Sequence, residues 1–579
     1  MDRPHLDPTA WFPGITRLRR QERGSVRGDV LAGLVLSALL LPQGMAYAQL
    51  AGLPAITGLY TTAISLVAYA LFGPSPTLVL GPDSSLAPMI FAVVVPLAGA
   101  QGDAELAIAH ASVLALLMGL LCLLAGTTGL GALADLLSRP VRIGYLNGLA
   151  IVILVGQLPR LFGFTTDGEN FVDELFAFAR GVGSSTDGVA LAIGLGVLAL
   201  VLLTRFFAPR LPGMLVAVVM AMAVVGWFGL NDEIAVVGDL PSGFPAPSIP
   251  TVPVDDLPAL IVSAFAISFV TLTDTTALSR GMAGLGQGAS RGSRVDPNHE
   301  IGALGAANIA AGFFQGFPVS ASTSRTAVAS AMGSTSQITG LVGAAVVVGV
   351  AAFSTGLLAD LPVAALAAII IAASFSLFDL HTIFWLQKVH RGDFALAMVA
   401  MVGVPLLGVL PAIVLAIALS LADFVGRASR PYGAELGRIP GVKGYHDRAR
   451  DPVADVIPGL LIYRFDAPLF FANAEQFRDR ILGLVDRSGR PVQWLILAAE
   501  PVTGIDSTAA EMLDGLLDDL DERQITLAVA ELKGPARDRL RRLGLGARIG
   551  EDRLFPTLGT AIRCYRRETG TEWTDWTDQ

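Results

Sequence analysis

Charge is what this sequence lacks over long distances. No Asp, Glu, Lys or Arg occurs from Val30 through Pro82, from Leu106 through Ala134, from Thr326 through Ala359, or from Phe394 through Ala422. Such runs exclude an ordinary soluble protein, and each holds one or two stretches of about 20 residues, enough for a membrane-spanning helix. Only 15% of the 579 residues are charged, 53% are hydrophobic, and the mean hydropathy is +0.61. Cysteine is nearly absent: Cys122 sits in an apolar run and Cys564 near the C-terminus, which excludes a disulfide framework or a cysteine metal cluster. An excess of basic charge is lacking too. The net charge of −9 and pI near 5.3 argue against nucleic acid as a partner. No small-residue cleavage site follows the Arg-rich N-terminus, so no removable signal peptide is expected. No Ser/His/Asp, Cys/His or metal-ligand constellation points to an enzyme, and no cofactor is implied.

What basic charge there is falls in a pattern. Arg17, Arg19, Arg20, Arg23 and Arg27 precede the first apolar run. Alternate connections then carry Arg139 and Arg142; Arg205 and Arg210; Arg280, Arg291 and Arg294; Lys388 and Arg391; and Arg427 and Arg430. The segment Asn231 to Asp256 is acidic without a Lys or Arg, and Arg160 and Arg180 are the exceptions to the pattern. Because cytoplasmic loops collect Lys and Arg, both termini are expected in the cytoplasm, with an even number of crossings, about fourteen.

Two apolar stretches are interrupted at corresponding places. One reads Leu78-Val79-Leu80-Gly81-Pro82-Asp83-Ser84-Ser85 and leads into Met89 to Leu97. The other reads Phe317-Pro318-Val319-Ser320-Ala321-Ser322-Thr323-Ser324-Arg325 and leads into Ala327 to Met332. Paired Gly/Pro-broken segments in two halves of a membrane chain mark a transporter's binding site. A half-helix starting inside the membrane presents free N–H groups and the positive end of its dipole to an anion. The expected substrate is therefore a small anion. Arg325, the one charge in its apolar stretch, is expected to hold it by charge and fork-like hydrogen bonds. Snorkelling to an interface or a structural pairing is the bland alternative. Ser84, Ser85, Ser322, Thr323 and Ser324 could donate hydroxyls or cap the half-helices. Asp83 is awkward beside an anion and reads as a cap facing away from it.

Along the chain, residues 1–25 form a cytoplasmic lead-in, 26–426 a transmembrane domain, 427–456 a charged Gly/Pro-rich linker, 457–567 a small soluble α/β domain, and 568–579 a tail. Strands are expected at Leu460 to Phe465, Trp494 to Ala498 and Thr526 to Ala530, with helices at Ala474 to Arg487, Ser507 to Leu520 and Pro535 to Leu543. From Thr571 onward the tail is expected to be disordered.

The run Leu41-Pro42-Gln43-Gly44-Met45-Ala46-Tyr47-Ala48, with Ala51-Gly52-Leu53-Pro54 and Gly58-Leu59-Tyr60, resembles the first-span signature of SulP (sulfate permease) transporters. Gly81-Pro82, Ser324-Arg325 and the C-terminal Ile505-Asp506-Ser507-Thr508 loop match the same family, and the terminal domain is similar to STAS domains. The resemblance implies seven-plus-seven inverted repeats divided into a mobile core and a gate, and a homodimer in the plasma (inner) membrane. It maps substrate-facing roles onto Gln43 and Tyr47, which share a helix face at i, i+4; an interhelical hydrogen bond and ordinary packing are their plainer readings. It also aligns Asp274, alone between Asp256 and Arg280, with the family's acidic position, implying cation coupling. Pairing with Arg325 is the structural alternative for Asp274, compatible with the first. Sodium-coupled relatives carry a hydroxyl one turn after the acid; here that position is Leu278, which favours a proton, although Thr271, Thr273, Thr275 and Thr276 could offer oxygens. Ser507 stands where related antagonist domains are phosphorylated, though N-capping by Asp506 or Ser507 explains the same residues. A cytoplasmic regulatory protein at the STAS-like domain is a further expected partner.

The leading expectation is proton symport of sulfate or a related oxyanion. The alternatives are a sodium–bicarbonate or dicarboxylate symporter, an uncoupled exchanger or channel, and, from another class, a membrane-tethered STAS signalling protein.

Overall fold

The computed structural model describes residues 13–14, 26–99, 103–129, 138–166, 170–208, 213–238, 240–241, 243–284, 296–353 and 356–574, apart from the side chains of 277, 279–284, 357, 409, 410 and 413. Arg17, Arg19, Arg20, Arg23, Arg210, Arg291 and Arg294, nearly all of the lead-in, and residues 575–579 lie outside that set. The chain forms two compact units, Met1–Ser420 and Leu421–Gln579.

The first unit is helical. Its elements are α1 Val26–Leu50, α2 Ala55–Phe72, β1 Leu80–Gly81, α3 Ala87–Ala98, α4 Ala104–Thr128, α5 Arg139–Leu161, α6 Phe171–Gly181, α7 Gly188–Phe207, α8 Gly213–Phe228, α9 Leu257–Gly284, α10 Pro297–Phe313, β2 Ser320–Ala321, α11 Thr323–Ala331, α12 Ile338–Phe353, α13 Gly356–Ala359, α14 Val363–Ser374, α15 Leu380–Val389, α16 Arg391–Leu407 and α17 Val409–Ser429. Among the described residues six helices are long and apolar enough to cross a membrane, and four shorter apolar helices accompany them. Helices start where acidic or amide caps allow: Asp103 accepts from the N–H of Glu105 and Leu106, Asp187 from Val189 and Ala190, and Asp296 from Asn298.

Without a hydrophobic driving force between helices in lipid, close approach through small residues holds such a bundle together. At the crossing of α1 and α2, a Cβ on Gly58 would lie 1.9 Å from the Gly44 carbonyl oxygen, so no side chain fits there. The helices sort into two packed groups. One joins α1 and α2 to α12, α2 and α4 to α10, and α4 to α9; the other joins α5 to α14 and α16, and α7 to α8 and α14.

The second unit is an α/β domain built from β3 Gly433–Gly437, β4 His446–Asp447, β5 Leu460–Phe465, α18 Ala474–Arg487, β6 Trp494–Ala498, α19 Ser507–Glu522, β7 Thr526–Ala530, α20 Gly534–Arg542, α21 Leu545–Ile549, β8 Leu554–Phe555 and α22 Leu558–Thr569. The sheet order is β4-β3-β5-β6-β7-β8, parallel from β5 to β8 and antiparallel at β3 and β4. The stretch read as linker from its Gly and Pro content thus supplies two strands: Ala434 and Leu436 alternate inward and bury against Ile462 and Ile496. Alternate residues of the buried strands feed separate cores on the two faces of the sheet, Leu461 and Leu495 on one and Ile462 and Ile496 on the other. The start of the tail is ordered as well. Trp573 packs on this second core and its indole N–H donates to the Tyr445 hydroxyl at 3.4 Å, an anchorage that polar composition conceals.

Candidate functional site

Breaking two helices inside an apolar bundle strands backbone groups that lipid cannot satisfy. The chain resolves this by pairing the two breaks with each other. β1 and β2 form an antiparallel ribbon, Leu80 opposite Ala321 and Gly81 opposite Ser320. Buried side chains supply further partners. The Asn308 amide accepts from the Val319 N–H at 2.9 Å and donates to its carbonyl at 3.1 Å. Thr326 Oγ1 accepts from Val79 N–H at 3.1 Å, Thr61 Oγ1 from Phe317 N–H at 3.2 Å, and Gln337 donates to Leu78 O at 2.9 Å. None of these four was singled out from the sequence, although an isolated Asn or Gln in an apolar run is a recognisable signal.

Each strand runs into a half-helix. Ser322 caps α11, its hydroxyl accepting from the Arg325 N–H at 3.5 Å and meeting Ser324 Oγ at 3.3 Å. Thr323 and Ser324 themselves are exposed. On the other side the turn at 83–86 precedes α3. Asp83 Oδ2 accepts from both the N–H (3.0 Å) and the hydroxyl (2.6 Å) of Ser85. Ser85 is thereby committed to Asp83, and the buried Ser84 lies beside Tyr47 of α1.

Arg325 is completely buried. Its Nη2 donates to the Pro82 carbonyl at 2.5 Å, whereas Nε and Nη1 have no partner among the described residues. The guanidinium lies directly on β1: a Cβ on Gly81 would stand 2.8 Å from Nη1, and Gly81 also holds φ +152°, which favours glycine. The charge of Arg325 acts on Tyr47 and on Asp83. Asp83 therefore closes the turn onto Ser85 rather than capping α3, whose N-cap position is Leu86 without a side-chain cap, and it does not turn its charge away. The short turn that lets it hold Ser85 keeps its carboxylate beside the Arg325–Tyr47 pair. Gln43, buried one turn before Tyr47, donates to Met214 Sδ at 3.3 Å across to α8, and its Oε1 is unpartnered among the described residues.

Asp274 occupies a different corner. Its Oδ2 accepts from the Tyr145 hydroxyl at 3.0 Å, and the cation acting on it is Arg142, one turn before Tyr145 on α5. The pairing of Asp274 with Arg325 considered from the sequence is not what the fold makes. Arg325 folds back on Pro82 instead, and Asp83 is the charged group that acts on both. Tyr145 and Arg142 went unassigned because Arg142 was read only as an orientation marker. Thr271, Thr273 and Thr276 each donate to the carbonyl one turn back at 2.6–2.9 Å, and the Thr275 hydroxyl is buried without a partner among the described residues. His110, given no role, meets Asp256 at 2.8 Å.

In the second unit Asp506 caps α19: Oδ1 accepts from Ala509 N–H and Oδ2 from Phe471 N–H, both at 2.8 Å. Ser507 follows it, exposed.

Together these contacts make a buried cationic fork, set at the two half-helix starts with Tyr47 and the Asp83 carboxylate acting on it, and Gln43 stands one turn from Tyr47 on α1. Residues 26–400 match the Sulfate permease family and residues 451–561 the STAS domain. A Mycobacterium tuberculosis (strain CDC 1551 / Oshkosh) protein described as a probable sulfate transporter is 43% identical over 565 residues, covering 97% of this chain and 100% of its own length. Sulfate transporter 3.1 of Arabidopsis thaliana is 29% identical, over 93% of this chain and 84% of its own. Among solved structures, murine solute carrier 26 family member A9, an anion transporter in the inward-facing state, shares the fold. Its TM-score is 0.90 at 22% identity, covering 98% of this chain and 96% of that one.

Proposed function

The chain belongs to the sulfate permease family, a multi-pass membrane transporter with a C-terminal STAS domain rather than an enzyme, and on that premise we propose that it imports sulfate or a related small oxyanion by proton symport. The observation that carries the reading is Arg325: fully buried, yet with Nε and Nη1 unpartnered among the described residues, between the starts of α3 and α11. A buried guanidinium with open donors is expensive unless a ligand completes it, and a planar oxyanion edge or a tetrahedral face suits its fork. The half-helix dipoles add favourable potential for an anion.

Asp274, bonded to Tyr145 and facing Arg142, carries the coupling proton in this reading, and alternating access moves α1–α4 and α9–α12 against the other helices. Tyr47, Gln43, Ser84, Ser85, Ser322, Thr323 and Ser324 complete the anion cradle. The protein works as a homodimer in the plasma (inner) membrane with both termini in the cytoplasm. A regulatory role falls to the STAS domain, with Ser507 as its exposed modification site. The test is reconstitution into liposomes with labelled sulfate, bicarbonate, chloride and a dicarboxylate, with and without imposed pH and sodium gradients. Sulfate accumulation driven by an inward proton gradient is expected. Accumulation driven by sodium alone, or of bicarbonate but not sulfate, overturns this reading.

A further inference from the structure

Two short amphipathic helices stand at equivalent places in the two halves of the membrane unit, α6 between α5 and α7 and α15 between α14 and α16. Both pack on α5 and α16. Those two spans run parallel. A Cβ on Gly144 would lie 2.1 Å from the Ala397 carbonyl oxygen, and one on Gly148 2.6 Å from that of Met401. Because α6 follows the end of α5 and α15 leads into the start of α16, the short helices cap opposite ends of one pair. The 23 residues of α5 make it about 35 Å long, enough to cross the hydrocarbon layer, so each cap lies at a membrane surface. The two ends differ in charge. α6 carries Asp173, Glu174 and Arg180, whereas Arg139, Arg142, Lys388 and Arg391 gather at the α15 end.

α15 has an inner and an outer face. Ile383 and Leu386 are buried, and the Asp379 N–H at its start donates to Asn147 Oδ1 of α5 at 3.0 Å. His381 and Lys388, seven residues apart, run along the outer face, with Leu380 and Phe384 on one side of them and Trp385 and Val389 on the other. All four apolar residues are exposed, Phe384 at 60% and Trp385 at 48%. Lys388 and Arg391 are exposed too, and among the described residues their side chains make no ion pair or hydrogen bond. Cations set among aromatic rings at the level where a span ends suit the headgroup zone of a bilayer, where rings are buried and ammonium and guanidinium groups reach phosphate. We propose that α15 is a binding surface for acidic phospholipid: its four exposed apolar side chains enter the leaflet, and Lys388 and Arg391 take the anionic headgroups. By the tendency of Lys and Arg to gather on the cytoplasmic side, that leaflet is the inner one. α6 exposes Val172, Leu175 and Phe176 behind an acidic first turn, and meets the opposite leaflet without this preference.

Quenching by brominated lipid tests this on the purified full-length protein. The protein is reconstituted in an equimolar mixture of phosphatidylcholine and phosphatidylglycerol, with bromine on one lipid or on the other. Subtracting the signal of Trp385→Phe isolates Trp385 from the rest of the six tryptophans. Both lipids should quench Trp385, and brominated phosphatidylglycerol more strongly, matching a local enrichment of up to about fivefold for each cation at low salt. High salt should shrink the difference. The double variant Lys388→Gln/Arg391→Gln should keep the quenching and lose the preference, while Arg180→Gln on α6 should keep both. Every substituted side chain is exposed, so each variant is expected to fold as the parent does. Equal quenching by the two lipids in the parent overturns the proposal, as does a preference that survives the double substitution or disappears in Arg180→Gln. No quenching of Trp385 by either lipid, the result if the STAS domain or a partner protein covers α15, overturns it as well.

Discussion

At the scale of single residues, the proposed function divides between the buried Arg325 and the half-buried Asp274. Arg325 lies on β1 with Nε and Nη1 open, and removing it leaves the half-helix ends as the remaining attraction for an anion. Arg325→Ala should weaken sulfate binding by about 100-fold, and Arg325→Lys should recover only part of that, since it restores charge but not the fork. Equilibrium binding on detergent-purified protein measures both. Asp274 is held by Tyr145 at 3.0 Å. If its carboxyl carries the coupling proton, uptake into liposomes rises as external pH falls, and Asp274→Asn, unable to release a proton, loses gradient-driven accumulation while still binding sulfate. Unchanged accumulation in that variant removes Asp274 from coupling. Much of this site was legible in the sequence, because an isolated charge in a membrane run and a paired Gly/Pro break are strong signals. Partners were not. Which cation faces Asp274 depends on how α5 packs against α9, and no local pattern in either helix reports that packing.

At the scale of elements, the α1–α2 crossing depends on a glycine pair. The Cβ of Gly58→Ala would overlap the Gly44 carbonyl oxygen at 1.9 Å, and backbone cannot yield as a side chain can. The substitution should destabilise the unit by about 1–3 kcal/mol or more, seen as a lower melting temperature in detergent. Gly196→Ala on α7, where a Cβ meets nothing within 4 Å, is the control expected to melt like the parent. In the second unit, Glu551 receives two bonds from Arg541 at 2.8 Å and one from Arg537 at 3.4 Å. The paired guanidinium of Arg541 holds its carboxyl down, from the ordinary 4.5 to about 2. The sign follows: the clasp is fully present above pH 4.5 and is lost as pH falls toward 2. Glu551→Gln should therefore melt earlier than the parent at pH 6 and converge with it near pH 2. The gap should be small, as for any exposed ion pair. The regular elements of this domain were readable from alternation and helical period. β3 and β4 were not, because Gly, Pro and charge at their ends look like linker while Ala434 and Leu436 alone face the core.

At the scale of the whole molecule, the proposed anion site and the STAS domain lie in separate compact units. Every residue of the site precedes Ser420, so a chain ending at Arg430 should remain folded and bind sulfate with little change, the loss falling on rate, yield or assembly. Binding assays beside size-exclusion profiles of the truncated and full-length proteins measure this; abolished binding in a well-folded truncation would count against the division. The order of units and the change from apolar to mixed composition were visible in the sequence from the spacing of charge alone. The ribbon of β1 and β2 was not, since two-residue strands carry no periodicity of their own. Its consequence reaches into heredity. Leu80 and Ala321 are neighbours through backbone bonds although most of the membrane unit separates them along the chain. Neither half of the gene is free to drift alone at these positions, and a suppressor screen begun from a lesion at Leu80 or Gly81 should recover its second-site revertants at Ser320 and Ala321.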